Sequence, residues 1–127
     1  MTENEIAKQI VDAAYKIHTT LGPGLLESVY EVVLAYELEK RGFHVGRQQP
    51  IPVVYEDVCL EIGFRADLIV EQKVIVEIKS VENTMPVHKK QLLTYLRMAD
   101  KRLGLLINFG ATLIKEGVNR VVNRLDE

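Results

Sequence analysis

Two carboxylates and an ammonium group, Asp67, Glu77 and Lys79, lie within a stretch whose remaining residues favour strands. Residues 63–80 alternate β-branched or apolar side chains with polar ones on either side of Glu71-Gln72-Lys73, the pattern of a hairpin. Period-two alternation predicts that Phe64, Ala66, Leu68 and Val70 share one face with Val74, Val76 and Ile78, which leaves Asp67, Glu77 and Lys79 together on the other. A three-residue turn pairing Val70 with Val74 is the shortest connection that keeps both apolar sets on one side, and it sets Asp67 directly opposite Glu77. Carboxylates so paired, with Cβ atoms roughly 4.5–5.5 Å apart, repel unless a cation or a shared proton offsets them. A hard divalent cation takes oxygen ligands, so Asp67 and Glu77 are candidate metal ligands, with Lys79 beside them to meet an anionic substrate. The plain alternative is a charged strand face turned to solvent.

Other elements must bring partners to this hairpin. Ile6, Ile10, Ala13, Ala14, Ile17 and Leu21 recur at helical spacing, predicting an amphipathic helix over residues 4–20 with Asn4 as its cap, ended by Leu21-Gly22-Pro23-Gly24. His18, near the end of that helix, is read as a surface residue outside the site. A second helix is expected from about Leu25 to Arg41, stopped by Gly42 and carrying Glu27 in its first turn, where an acidic side chain also complements the helix dipole. Phe43 to Tyr55 reads as a strand interrupted at Pro50 and Pro52, and Val58 to Val70 as a long strand with a bend or bulge at Gly63. After the hairpin, a helix from Val87 to Lys101 places Leu92, Leu93, Leu96 and Ala99 inward and His88, Gln91 and Tyr95 on a neighbouring face. Leu103 to Phe109 is apolar on both faces, as in a covered strand. Residues 117–122 add an edge strand with Val118 and Val122 inward and Asn119, Arg120 and Asn123 outward. The order predicts an α/β domain in the broad sense, an α+β arrangement of a mixed sheet flanked by helices.

Asp67 followed ten positions later by Glu77-x-Lys79 on a hairpin resembles the PD-(D/E)XK nuclease superfamily, with Ala66 where the name has proline. Gly24-Leu25-Leu26-Glu27-Ser28-Val29-Tyr30 resembles the signature of the GxxExxY family, a compact branch assigned to that superfamily, and this likeness covers roughly residues 6–125. Gln91-Leu92-Leu93-Thr94-Tyr95 is similar to the Gln-x-x-x-Tyr pair that follows Glu-x-Lys in exonuclease-like members. The resemblance implies a restriction-endonuclease-like core and Mg²⁺- or Mn²⁺-assisted hydrolysis of phosphodiester bonds. It also implies that Glu27 adds to the metal site of Asp67 and Glu77, that Lys79 orients water or stabilises phosphoryl charge, and that Gln91 and Tyr95 orient the site or hold the substrate backbone. The same fold could instead carry a catalytically silent domain that binds nucleic acid or protein.

The 127 residues suit one domain, and an apolar share of 47% with 27% charged residues is ordinary for a globular chain. A net charge of −2 excludes strong global attraction to nucleic acid, so binding must use local patches, with DNA favoured over RNA and a homodimer or partner protein expected to help hold a duplex. Cys59 is the only cysteine, which rules out an internal disulfide and a cysteine-rich zinc site. With no recognisable signal or membrane-spanning run, the expected location is the cytoplasm, without a membrane partner.

Overall fold

The computed structural model describes residues 1–126, in a five-stranded mixed sheet with helices on both faces. In chain order the elements are α1 (Glu3–Leu21), α2 (Glu27–Lys40), β1 (Val45–Tyr55), β2 (Val58–Val70), β3 (Val74–Lys79), α3 (Pro86–Ala99), β4 (Leu103–Asn108), a short α4 (Ile114–Gly117) and β5 (Val118–Val122). The strands lie in sequence order, and all neighbours are antiparallel except β3 and β4, which α3 joins as a parallel crossover. No helix among the described residues is long and apolar enough to cross a membrane.

Thr2, rather than Asn4, caps α1: its hydroxyl accepts from the Glu5 amide while the Glu5 carboxylate accepts from the Thr2 amide. Glu37 of α2, buried against α1, meets Lys16 at 2.8 Å and joins the two helices. Together α1 and α2 cover one sheet face, packing Ile6, Ile10, Tyr30 and Leu34 on Leu68, Val70, Val76, Leu105 and Ile107. On the opposite face Leu92 and Leu96 of α3 cover Ile51, Ile69, Ile75 and Leu106. Gly104 permits this approach, because a Cβ there would lie 2.8 Å from the Leu92 side chain.

Val70 pairs with Val74 around the three-residue turn, although Glu71 and Gln72 adopt φ of 54° and 56° without glycine. His44 holds that turn, its carbonyl accepting from the Glu71 amide and its own amide donating to the Glu71 carboxylate. The expected sharing of one face by Phe64, Ala66, Leu68 and Val70 is corrected: Phe64 and Ala66 pack under α3, whereas Leu68 and Val70 pack under α1 and α2. The change falls opposite Gln48, whose φ of 50° interrupts the extended backbone on which period-two alternation depends. Strand β1 runs on through Pro50 and Pro52 as a sheet edge, where missing amides are tolerated, with a register shift between Ile51 and Val53. Gly63 lies against that shift, since a Cβ there would meet the Val53 side chain and Ile51 carbonyl. At the other edge, Val118 packs inward but Val122 is exposed, and Asn123 turns in to donate to the Lys101 carbonyl, reversing two expectations.

Asn108, at the end of β4, fastens the segment that follows β3. Its Oδ1 accepts from the amides of Val81 and Gly110 at 3.0 Å, and its Nδ2 donates to the Val81 carbonyl at 2.8 Å, all with the side chain buried. Asn108→Ala would orphan these backbone groups, and we expect a loss of about 2–4 kcal/mol, read as a lowered urea midpoint with an unchanged slope.

Candidate active site

Strands β2 and β3 stay in register from Val70–Val74 to Leu68–Val76, and the next opposed pair is Asp67 and Glu77. There carboxylates take over the bonding: the Asp67 amide donates to Glu77 Oε2 at 2.9 Å, and the Ile78 amide donates to Asp67 Oδ2 at 2.8 Å. Each acid thus accepts from the strand opposite, so both side chains are fixed by backbone where the strands part.

Glu77 follows Ile75 on the α3 side, and Asp67 stands between Ala66 and Leu68, at the place where β2 changes its facing. Asp67 also lines a cleft of about 830 Å³ at the start of α2, shared with Leu25, Glu27, Glu31, Gln48 and Ser80. Gln48 spans this cleft, its Nε2 donating to Glu31 Oε1 at 2.6 Å and to Asp67 Oδ1 at 3.3 Å. Glu31 is buried and also meets Arg47 at 3.1 Å. Ser80 closes the opposite wall: its amide donates to Glu27 Oε2 at 3.1 Å and its hydroxyl to the Leu25 carbonyl at 2.6 Å.

The Gly-x-x-Glu-x-x-Tyr run acquires a local logic from these contacts. Tyr30 is buried, stacks on Phe109 with ring centroids 4.4 Å apart, and uses its hydroxyl to donate to the Gly22 carbonyl and accept from the Leu25 amide. Gly24 supplies φ of 105°, a conformation that favours glycine. The turn so held delivers Glu27 to the end of β3.

Burial and neighbouring charge raise the proton affinity of both acids. Burial, reinforced by the neighbouring Asp67 charge, pushes the Glu77 carboxyl up to about 8. Burial also raises Asp67, with Glu31 adding to the effect, while the Ile78 amide and Lys79 act in the opposite direction. The Tyr95 phenol is raised by partial burial and then by Glu77 and Asp67, which places Tyr95 within their field. Its ring stacks on Phe64 with centroids 3.7 Å apart.

Of the residues singled out in sequence, Asp67 and Glu77 are thus brought together, with Lys79 close enough to act on both charges and Glu27 on the wall of the same cleft. Gln91 is exposed on α3, one turn before Tyr95, with no hydrogen bond to the carboxylate pair. His88 accepts from the Met85 amide at the start of α3, and His18 bonds the Ala111 carbonyl, so neither joins the site. Glu31, Gln48 and Ser80 are cleft residues that the sequence did not single out. Glu31 had a signal in its four-residue spacing from Glu27; Gln48 and Ser80 had none, because a strand twist and a loop closure deliver them.

Among the described residues no group of three or more His, Cys, Asp or Glu side chains is gathered closely enough to hold a metal ion, so Glu27, Asp67 and Glu77 form no ready three-carboxylate cage. Two adjoining carboxylates, destabilised as anions by burial and mutual repulsion, nevertheless fit a hard cation that keeps several of its own waters.

The family model of the PD-(D/E)XK nuclease superfamily matches residues 4–121, nearly the whole chain. The chain belongs to that superfamily. Its members generally use divalent metal ions, in keeping with the oxygen donors at the parting of β2 and β3. No curated protein and no solved structure matches the chain significantly.

A pH test follows from the raised carboxyls. The native state keeps a proton on Glu77 up to about 8, whereas the unfolded chain releases it near its ordinary value of 4.5. Between these values the native state binds more protons, so stability falls as pH rises. In chelator, Tm should decline from pH 5 to 8, and Glu77→Gln should flatten the decline and raise Tm at pH 8. An equal decline in the variant would refute Glu77 as its source.

Proposed function

We propose that the protein is a metal-dependent nuclease hydrolysing phosphodiester bonds of nucleic acid, with DNA as the favoured substrate. The observation carrying this reading is the reciprocal placement of Asp67 and Glu77, each held by the opposite strand's amide beside the charge of Lys79, in a chain of the nuclease superfamily. Neutral polar groups would serve a purely structural splay without the cost of two adjoining, partly buried acids.

Asp67 and Glu77 would hold Mg²⁺ or Mn²⁺, with the Ile78 carbonyl as a further oxygen donor. The bound ion would polarise a phosphate oxygen and lower the pKa of coordinated water. Lys79 would donate to the attacking water or to phosphoryl oxygen as negative charge grows. Glu27 would orient the water shell from the cleft wall, Tyr95 would offer its hydroxyl to the substrate backbone, and Gln91 would do so one turn earlier on α3. The Gly24–Tyr30 run supports assignment to the GxxExxY branch, since its glycine, acid and tyrosine together build the turn that presents Glu27.

The absence of a ready three-carboxylate group among the described residues favours a second reading, a silent domain that binds nucleic acid or protein. Purified protein should cleave single-stranded, duplex or branched nucleic acid only with Mg²⁺ or Mn²⁺ and stop when the metal is chelated. Lys79→Ala should lower the rate by about 10²–10³ with metal binding retained, because it removes a donor but no ligand. Asp67→Asn should lose metal binding and cleavage together while keeping an oxygen for the Ile78 amide. Metal binding without cleavage of any substrate would support the silent domain, and equal cleavage by all three proteins would trace the activity to a contaminant.

A further inference from the structure

The helices on the two faces of the sheet differ in charge. Together α1 and α2 hold seven acidic and three basic residues, whereas α3 holds Lys89, Lys90 and Arg97 and no acidic residue. The net charge of −2 conceals this separation. Pairing sharpens it: Lys16 and Lys40 meet Glu37, and Arg41 meets Asp12. On α3 the side chains of Lys89, Lys90 and Arg97 are exposed and make no ion pair or hydrogen bond among the described residues. The acid nearest α3 in sequence, Asp100, bonds Arg102 at 3.0 Å. A face that serves solubility alone mixes both signs, and a face of one sign steers an opposite charge.

At 3.6 residues per turn, Lys90, Thr94 and Arg97 form a stripe turned away from the buried Leu92 and Leu96. Going round the helix from that stripe, Gln91 and then Tyr95 follow, and Tyr95 stands in the field of Glu77 and Asp67. The cationic stripe and the site are thus reached from one helix. By contrast, the large cleft beside α2 is lined by Glu27, Glu31 and Asp67 and by no lysine or arginine, a lining that repels phosphate.

We propose that duplex DNA lies along α3, its phosphates on Lys90 and Arg97 with Lys89 beside them, and meets the carboxylate pair from that side rather than through the α2 cleft. Single strands are held by free aromatic rings that stack on bases. The one ring on α3, Tyr95, is already stacked on Phe64. Cations without free rings suit a duplex, whose bases are stacked inside and whose phosphates face outward. Lys90 and Arg97 stand about 10 Å apart along the helix, the rise of about three base pairs. The inference rests on the reading that this protein acts on nucleic acid, and its test is made without metal, so binding is read apart from cleavage.

Anisotropy of a short labelled DNA duplex, in chelator and from about 50 to 200 mM salt, should show binding that weakens as salt rises. Lys90→Ala/Arg97→Ala should lower affinity by at least about tenfold at the low-salt end and reduce the salt slope by about 2. Alanine favours helix, so circular dichroism should not change; should that variant misfold, Lys90→Gln alone should reduce the slope by about 1. Lys8→Ala/Lys115→Ala removes the same charge from exposed positions on α1 and α4 and should bind as the unmodified chain does. A labelled single strand should bind more weakly than the duplex. No duplex binding at low salt, equal losses in the two double variants, an α3 variant that binds normally, or a preference for the single strand would each overturn the proposal. Binding lost on α3 with no cleavage under any metal would sink the nuclease reading alone, whereas metal-dependent cleavage with normal binding by the α3 variant would sink this one alone.

Discussion

The reciprocal bonds between Asp67 and Glu77 and the backbone of each other's strands are the constraint on which this molecule turns. A hairpin ordinarily continues its amide–carbonyl ladder until the chain ends, but here two side chains substitute for carbonyls at the pair beyond Leu68 and Val76. The substitution permits β2 to leave the sheet plane without stranding buried amides, which would be costly. It also concentrates negative charge where solvent is partly excluded, and the raised carboxyls of both acids are the direct result. Fold and site are thus secured by the same atoms.

Three supports hold this arrangement from different parts of the chain. Gln48 reaches from β1 across to Asp67 and Glu31, Ser80 ties the end of β3 to the start of α2, and Asn108 locks the residues after Ser80 onto β4. None is a charged group paired with another in open solvent, the weakest kind of polar contact. Each satisfies a backbone or carboxylate group, and the bonds of Gln48 to Glu31 and of Asn108 to Val81 are partly buried, where geometry is held more firmly.

The sequence made the hairpin readable because turn length, β-branched residues and alternation all agreed on one register, which Val70 and Val74 adopt. It could not reveal the change of face at Ala66, since that depends on a left-handed Gln48 in a neighbouring strand and no glycine advertises it. Helix boundaries were nearly right, but the Thr2 cap prevailed over Asn4 because Glu5 completes a reciprocal pair with it. Asp67, Glu77 and Lys79 stood out by local spacing. Glu31, Gln48 and Ser80 did not, because their approach to the cleft comes from tertiary closure. The tyrosine of the Gly-x-x-Glu-x-x-Tyr run had a visible position but a hidden task, to brace the turn before Glu27 from within the core.

The two longest strands, β1 and β2, continue well past the reach of β3, which spans only Val74–Lys79. Beyond Phe64 they pair only with each other, ending in a ribbon tip where Val54, Tyr55, Val58 and Leu60 are exposed. A two-stranded ribbon adds little to global stability, so its opening is governed locally and leaves the covered sheet intact. The molecule is therefore divided into a region where sequence is tightly constrained by burial and an arm insulated from that constraint. Length and composition can drift in the arm at small cost to the carboxylate pair.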